Sequence, residues 1–385
     1  MKKSIIALAA CGLCAGIAQA QVTVYGTMDL SMQSINNVAA AGNSTSAGSA
    51  FKMNSSTTNT SNFGIRGVED IGGGLMTIFD LEAQLAANTG AAPGTANYGT
   101  TTTLSTTGAT SNLFSRGAYV GLKSNSWGTV TLGRNYTSAF ISKINSNAII
   151  TGPNTGLVTA TAAQGLANDY WNNNQVKYES PVMNGFSFAV NYAAGGIAGD
   201  NSQGTNIGGS LTWSGNGLTI SAGGQQDKGA TGTYTAAAGG TSFSDVGKSV
   251  KWYFANVSYA WDKFRIMAGW DSVKNPDSAG GAALGNAGAY AAWLDSRLLT
   301  VGASYQATPQ LGFAAQYYAV KLTSDGAISS QTILNADYKF SKRTSAYALV
   351  GFAKNKSLPL MPIYGTVAAA NTNSTGVAVG LLHRF

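Results

Sequence analysis

Two carboxylates stand two positions apart in the run Leu75–Leu85, at Asp80 and Glu82. Paired acids can transfer protons in catalysis when their surroundings give them different acidities. The run alternates, with apolar residues such as Phe79 and Leu81 on the other parity, and alternate residues of a β-strand face opposite sides. Both acids would therefore share one polar, wet face, where nothing separates their acidities. The spacing predicts a charged wall rather than an acid/base centre.

The remaining reactive residues indicate no catalytic or ligand-binding site. The sequence has one histidine, His383, which lies on the apolar parity of the last residues, so a nucleophilic triad would lack a base beside a polar serine. The Gly-Gly-Gly run at 72–74 is followed by no helical pattern that could cradle phosphate, and acidic loops with calcium-ligand spacing are absent from the sequence. We therefore predict no catalytic residue, no metal and no cofactor.

The first twenty residues have the pattern of a signal peptide. Met1-Lys2-Lys3 is a positive start, an apolar stretch follows, and Ala18-Gln19-Ala20 fits the small-x-small cleavage rule. This pattern predicts an exported protein, with a signal peptide over 1–20 cleaved after Ala20 and one mature domain over 21–385. Both cysteines, Cys11 and Cys14, lie in the leader, so disulfides and thiolate metal sites are not expected in the mature chain.

Composition excludes several classes of protein. Only 10% of residues are charged, and the formal net charge of +7 is spread along the chain without the basic block that nucleic-acid binding requires. No stretch after residue 20 approaches the roughly eighteen consecutive apolar residues of a transmembrane helix. Short segments alternate with period two instead. A transmembrane β-barrel has this composition, because each of its strands is apolar on one face only.

The last eleven residues, 375–385, have the pattern of a strand that ends on an aromatic residue. Val379 and Leu381 share one parity with the terminal Phe385. A soluble protein rarely leaves such a strand at an edge, because its unpaired backbone groups invite aggregation. Closure of a barrel removes the edge, and lipid accepts the apolar face. We therefore predict that this strand closes a barrel by pairing with Val22–Met28.

Turn signals predict the number of strands. Seven short junctions with Gly, Asn, Asp or Pro, such as 69–74 and 181–185, alternate with eight longer segments rich in small and polar residues. These fifteen connections join sixteen strands and place both chain ends on the short-turn side. The predicted fold class is all-β, a 16-stranded antiparallel transmembrane β-barrel wide enough for an aqueous channel. A soluble β-sandwich is the competing fold, but it would not need polar faces that converge on one interior.

Several motifs, taken in order, resemble one family. They are the runs Phe63–Leu75, Phe114–Leu122, Trp127–Asn135 and Val176–Pro181, and the terminal Gly376–Phe385. Together they resemble the general, non-specific porins of Gram-negative bacteria, most closely the β-proteobacterial type, over essentially the whole mature chain. The resemblance implies an outer-membrane homotrimer for passive diffusion of ions and small hydrophilic solutes. It also implies that the third long loop, about 135–172, folds inside the barrel and constricts it.

The resemblance also implies partners. Outer-membrane lipid and lipopolysaccharide would surround the barrel. The barrel-assembly machinery would recognise the terminal Phe385 as the insertion signal. Nucleic acid is not expected as a partner.

Porins of this family narrow their channel between basic wall residues and acidic loop residues, and a field of this kind selects ions by charge. The residues predicted to line the constriction are Arg66, Asp80, Glu82, Arg116, Lys143, Asp169, Trp171 and Lys177. Strict alternation groups Arg116 with apolar residues, so its inward placement would require a β-bulge. Asn62 and the run Trp171–Asn174 stand where the family often has arginine, so the field should be weaker than is usual for the family.

The balance of charges predicts a weak anion preference. Four basic residues, Arg66, Arg116, Lys143 and Lys177, outnumber the one acid of the third loop, Asp169. The two acids of the wall act in the opposite direction, which limits the preference.

Two other functions stay open at this stage. A substrate-specific porin would have an aromatic-lined constriction, and Tyr136, Phe140, Tyr170 and Trp171 would suit a slide for a sugar or aromatic solute. The same aromatic residues would also suit an anchor for the loop. An outer-membrane adhesin would be expected to show fixed-period repeats, which the sequence lacks.

Overall fold

The computed structural model describes residues 21–40, 43–92, 113–144, 171–196, 198–228, 231–234, 241–244, 249–274, 295–323, 326–356, 363 and 372–385. Its strands are β1 (Gln21–Ala40), β2 (Asn43–Ser55), β3 (Asn62–Gly72), β4 (Leu75–Gln84), β5 (Gly117–Ser124), β6 (Gly128–Tyr136), β7 (Trp171–Glu179), β8 (Phe186–Ala193), β9 (Asn206–Gly215), β10 (Leu218–Lys228), β11 (Thr231–Tyr234), β12 (Thr241–Ser244), β13 (Ser249–Trp261), β14 (Phe264–Lys274), β15 (Ser296–Gln306), β16 (Leu311–Leu322), β17 (Ile328–Lys339), β18 (Thr344–Lys354) and β19 (Asn373–Arg384). One helix, α1 (Ser138–Ile144), follows β6. Among the residues described, no helix is long and apolar enough to cross a membrane.

The strands form one closed antiparallel wall, in which the last strand pairs with the first. Both β2 and β3 pair with β1, β3 with its first part and β2 with its second, so together they occupy one position in the wall. The short strands β11 and β12 form a separate hairpin. The barrel therefore has sixteen strand positions, which confirms the predicted fold class and strand number.

The seam between β1 and β19 starts where Thr27 lies opposite Arg384 and runs for nine residue pairs. Beyond it, the Gly26 N–H donates to Phe385 O at 3.2 Å, and the Phe385 N–H donates to Gly26 O at 3.1 Å. The predicted pairing with Val22–Met28 is wrong over most of its length, because the residues before Gly26 pair with β3 alone. Tilted barrel strands are staggered, so the ends of neighbouring strands are offset along the wall.

The outer surface of the wall is apolar. In β19, Val377, Val379 and Leu381 expose 44%, 59% and 52% of their surface, whereas Ala378 and Leu382 between and beside them are buried. A soluble β-sandwich would bury the large apolar side chains and expose the other face. A wall that exposes its apolar face suits lipid as its solvent.

Aromatic side chains mark the short-turn end of this surface. Tyr259, Trp261, Phe264 and Tyr305 stack in sequence across β13, β14 and β15, with ring centres 5.6, 5.7 and 4.6 Å apart. Amphipathic rings of this kind favour the boundary between hydrocarbon and water. The short turns therefore lie just beyond one membrane surface.

Part of the interior is packed with apolar side chains. One cluster joins inward-facing residues of β1 and of β15–β19 with Ile363 of the connection that precedes β19. Its buried members are Ile35, Val38, Leu298, Tyr318, Val320, Leu322, Ile333, Tyr347, Leu349, Ala353, Ile363, Ala378 and Leu382. These side chains therefore fill part of the cross-section of the barrel.

Residues 56–61 leave the wall between β2 and β3. Ser55 pairs with Leu30 and Asn62 pairs with Thr27, so only two residues of β1 lie opposite these six. The ladder of hydrogen bonds along β1 has no partners for the four extra residues. The chain therefore leaves the wall at Ser56, whose φ is +65°. Most side chains of the segment are buried on the inward side of the wall.

Asp29 of β1 holds this segment in place. Its Oδ2 accepts the N–H groups of Thr58 at 2.7 Å and Asn59 at 2.6 Å, and the Thr58 hydroxyl at 2.9 Å. Its Oδ1 accepts the Tyr347 hydroxyl from β18 at 2.5 Å. A buried carboxylate that accepts several hydrogen bonds is compensated for its lost hydration. Asp29 therefore ties the segment to two strands on either side of the seam.

We expect Asp29→Ala to release the 56–61 segment, because four donors, three of them buried, would lose their acceptor. The cost should be about 2–4 kcal/mol, seen as a lower unfolding midpoint in detergent, and the single-channel conductance should rise as the segment leaves the lumen. Ser31→Ala is the matched control, since its hydroxyl bonds the segment only through Thr57, at 2.7 Å. The control should cost about 1 kcal/mol; equal effects from both variants would contradict the role of Asp29.

Candidate functional site

Side chains from three neighbouring strands meet on the inner wall formed by β1, β3 and β4. The Tyr25 hydroxyl donates to Asp80 Oδ1 at 2.7 Å and lies 3.3 Å from Glu82 Oε2. The Asn62 amide donates to Glu82 Oε1 at 2.7 Å. Gly64 makes room for this arrangement, because a Cβ there would overlap the Tyr25 ring. Neutral donors thus engage both acids of the wall.

Arg116 completes this group from the start of β5. Its backbone N–H donates to Glu82 O at 3.0 Å, and its Nε forms an ion pair with Glu82 Oε1. Its guanidinium carbon also lies 5.6 Å from the ring centre of Tyr136 and 5.5 Å from that of Trp171. The alternation of the sequence had required a β-bulge to turn Arg116 inward, but β5 contains no bulge. The strand begins at Gly117, so Arg116 precedes the alternation and is free to face Glu82.

Arg66 of β3 is the exposed cation of this group. Its guanidinium lies 4.9 Å from the ring centre of Tyr25, and its side chain is open to solvent. None of the three ion pairs in the described part of the chain includes it. Arg66 is therefore open to solvent, whereas Arg116 is already engaged by an acid.

Lys143, near the end of α1, is buried. Its Nζ lies 2.5 Å from Asp271 Oδ2 and 3.1 Å from Asn256 Oδ1, and Trp252 donates its Nε1–H to Asp271 Oδ1 at 3.1 Å. The side chains of the ion pair expose only 1% and 0% of their surface. This corrects the prediction of a pore-lining lysine. The sequence places Lys143 in the third long connection but does not show the acid of β14 that neutralises it.

Polar groups of β8 and β9 hold α1 against the wall. The Ser138 N–H donates to Asn191 Oδ1 at 2.9 Å, and the Ser210 hydroxyl donates to the Ser138 carbonyl at 3.2 Å. The hydroxyls of Ser142 and Thr212 are also 3.2 Å apart. Since these partners alternate with exposed apolar residues of β8 and β9, the described start of the third connection follows the inner wall.

The aromatic residues considered as a slide are mostly packed against one another. Phe140 is fully buried, and Trp171 exposes 7% of its surface. Tyr136 lies between them, with ring centres 5.4 Å from Phe140 and 5.1 Å from Trp171. Together with inward-facing residues of β13 and β14 they form a second apolar cluster. Their packing favours the role of anchor over that of a surface for passing solutes.

The other predicted constriction residues are Lys177 and Asp169. Lys177 of β7 exposes 4% of its side chain and pairs with Glu179 at 3.0 Å. Asp169 and Tyr170 lie outside the described residues, as does the rest of 145–170. The constricting loop itself therefore stays a prediction.

A basic cavity at the short-turn end of the barrel was missed by the sequence analysis. Its volume is about 680 Å³, and we call it the basic vestibule. Its charged lining consists of five cations, Lys263, Arg265, Lys339, Lys342 and Arg384, and two acids, Asp262 and Asp337. The cations come from three separate parts of the sequence that only barrel closure brings together. Each of these basic residues lies at or beside a short turn, and this shared position is what could have indicated the cavity from the sequence.

The ion pairs Lys143–Asp271 and Lys177–Glu179 differ in burial, so their variants measure how burial affects the cost of losing the cation. We expect Lys143→Gln to cost about 3–5 kcal/mol, because Asp271 would stay buried without its cation. Lys177→Gln should cost about 1 kcal/mol or less, since the side chain of Glu179 is 43% exposed and water can solvate it. Thermal unfolding of both variants in detergent measures the difference. The double variant Lys143→Gln/Asp271→Asn should regain much of the loss, and equal costs for the two single variants would refute the assignment.

Comparison with known proteins supplies the family. A sequence model of the Gram-negative porins matches residues 7–358. Outer membrane porin protein 32 of Delftia acidovorans is 30% identical, and the major outer membrane protein P.IB of Neisseria gonorrhoeae is 27% identical, each over 100% of both chains. The solved anion-selective porin from Comamonas acidovorans has a TM-score of 0.70 at 22% identity, covering 95% of this chain and 100% of that one. The closed sixteen-stranded wall and these full-length matches agree: the chain belongs to the family of Gram-negative porins.

Proposed function

We propose that this porin forms a water-filled channel through the bacterial outer membrane, through which ions and small hydrophilic solutes diffuse passively with a weak preference for anions. The observation that carries the preference is the exposed guanidinium of Arg66 on the inner wall. The acids beside it, Asp80 and Glu82, already accept hydrogen bonds, and Glu82 is paired with Arg116. The solved relative described as anion-selective supports the same direction.

The preference should be weak because the opposing charges of the wall are nearly balanced. Arg66 and Arg116 lie close to Asp80 and Glu82. Salt in the lumen screens an exposed charge over about 10 Å at 0.1 M ionic strength. A permeating anion therefore gains from Arg66 only when it passes close to it.

Reversal potentials in a salt gradient test the proposed preference. We expect Arg66→Gln to shift the reversal potential toward cations, with a change in permeability ratio of about fivefold or less, since two charges 4 Å apart interact by about 1 kcal/mol in water. Lys321→Gln removes the same charge from the exposed outward parity of β16 and should leave the potential unchanged. A cation preference in the unmodified channel, or equal shifts from both variants, would overturn the proposal.

We further propose a homotrimer, set in outer-membrane lipid and lipopolysaccharide. The broad apolar outer surface supports an environment of lipid and neighbouring subunits, because it is too large for a protein surrounded by water. The family relation favours three copies. Chemical cross-linking of the protein in native outer membranes would test this, with a trimer as the expected largest product.

The terminal residue fits recognition by the barrel-assembly machinery. The backbone of Phe385 is bonded to Gly26 at the seam, while its side chain lies over Gly26 on the outer side and exposes 43% of its surface. The ring is therefore accessible even in the closed barrel. We infer that the ring serves as a recognition signal, and that the backbone alone completes the seam.

We expect Phe385→Ser to lower the amount of protein assembled in the outer membrane severalfold. Refolding in detergent should change little, because the backbone hydrogen bonds to Gly26 persist. Phe340→Ser is a suitable control, since Phe340 lies at the same end of the barrel and is 63% exposed. If the control reduced assembly equally, or if Phe385→Ser abolished refolding, the recognition role would be excluded.

A further inference from the structure

We propose that the basic vestibule is a binding site for multivalent oxyanions such as pyrophosphate, in series with the constriction and entered from the periplasm. This inference rests on the proposed channel function. The short turns of outer-membrane barrels face the periplasm, and the vestibule is lined by the turns after β13 and β17. An anion that enters from that side would meet this site before it reached Arg66.

The lining of the vestibule carries an excess of positive charge. The lining has five cations against two acids, a formal excess of three positive charges. Lys263, Lys339, Lys342 and Arg384 take part in none of the three ion pairs found among the described residues. The fifth cation, Arg265, has its guanidinium 3.3 Å from the Ser258 hydroxyl, a neutral partner.

The cations of the vestibule differ from those of the predicted constriction in their partners. There Arg116 is neutralised by Glu82, and deeper in the barrel Lys143 is neutralised by Asp271. At the mouth, by contrast, Lys263, Lys339, Lys342 and Arg384 line one cavity and belong to none of the ion pairs among the described residues. Low-dielectric walls concentrate the field of such a group and raise the local concentration of anions.

The chemistry and the size of the vestibule also suit an oxyanion. Neutral donors lie among the cations, namely Ser304, Asn335, Ser341 and Ser345. Thr58 of the inserted 56–61 segment also lines the cavity, so that segment bounds it on the inside. Lysine, arginine and hydroxyl donors together are the groups that recognise phosphate oxygens, and the charge of the site favours ligands that carry several negative charges. A volume of about 680 Å³ is ample for such a small ion with some of its water.

Block of the chloride current by pyrophosphate tests the site. Purified protein in a planar bilayer at low salt would receive pyrophosphate in one compartment at a time. We expect block at lower concentration from the side of the short turns. Lys263→Gln/Lys339→Gln/Lys342→Gln should raise the half-blocking concentration about tenfold, a loss of about 1.4 kcal/mol of binding free energy, because three of the five cations are removed. Acetate, with a single charge, should block neither protein.

The matched control is Lys274→Gln/Lys321→Gln/Lys354→Gln, which removes the same charge from exposed residues toward the opposite ends of β14, β16 and β18. It should keep the unmodified half-blocking concentration and sidedness. Equal shifts in the two triple variants, or block that is the same from both sides, would overturn the vestibule site while the channel still conducts. A protein that carries no current at all would instead contradict the proposed channel function.

Discussion

The hydrogen-bonding demand of the backbone in lipid is the constraint on which the rest of this structure depends. An unpaired N–H or C=O in hydrocarbon costs several kcal/mol, so a sheet that spans the membrane cannot keep an edge. The pairing of β19 with β1, extended by the two bonds between Gly26 and Phe385, removes that edge. Once the wall is closed, alternation alone determines which side chains face lipid and which face inward.

Closure also determines what the interior must accommodate. Inward-facing residues cannot all be solvated, because two apolar clusters and the 56–61 segment take up part of the space. A buried acid then needs partners that replace its lost hydration, and Asp29 and Asp271 have partners of different kinds. Asp29 is held by neutral donors, whereas Asp271 is held by the ammonium of Lys143. Arg66, Lys263, Lys339, Lys342 and Arg384 belong to none of the ion pairs among the described residues, and we propose that permeating anions meet these charges.

The features that the sequence predicted well depend on local patterns. Period-two alternation and turn residues were enough to predict the sixteen strands. The resemblance of short motifs was enough to predict the family. The sequence analysis predicted that Asn62 stands in place of an arginine, but it did not foresee the hydrogen bond from Asn62 to Glu82. What could not be predicted depends on contacts between distant residues. Lys143 and Asp271 are 128 positions apart, so their neutralisation was invisible in the sequence.

The most direct test of barrel closure is a disulfide across the seam. Met32 of β1 lies opposite Val379 of β19, and both side chains face outward. Cysteines at these two positions can be introduced into the chain from Gln21 onward, which has no cysteine of its own. We expect mild oxidation to link them and to leave the single-channel current unchanged, while cysteines at Met32 and the distant Val301 of β15 form no link. Failure of the seam pair to link, or loss of the current on linking, would contradict a closed barrel that conducts through its interior.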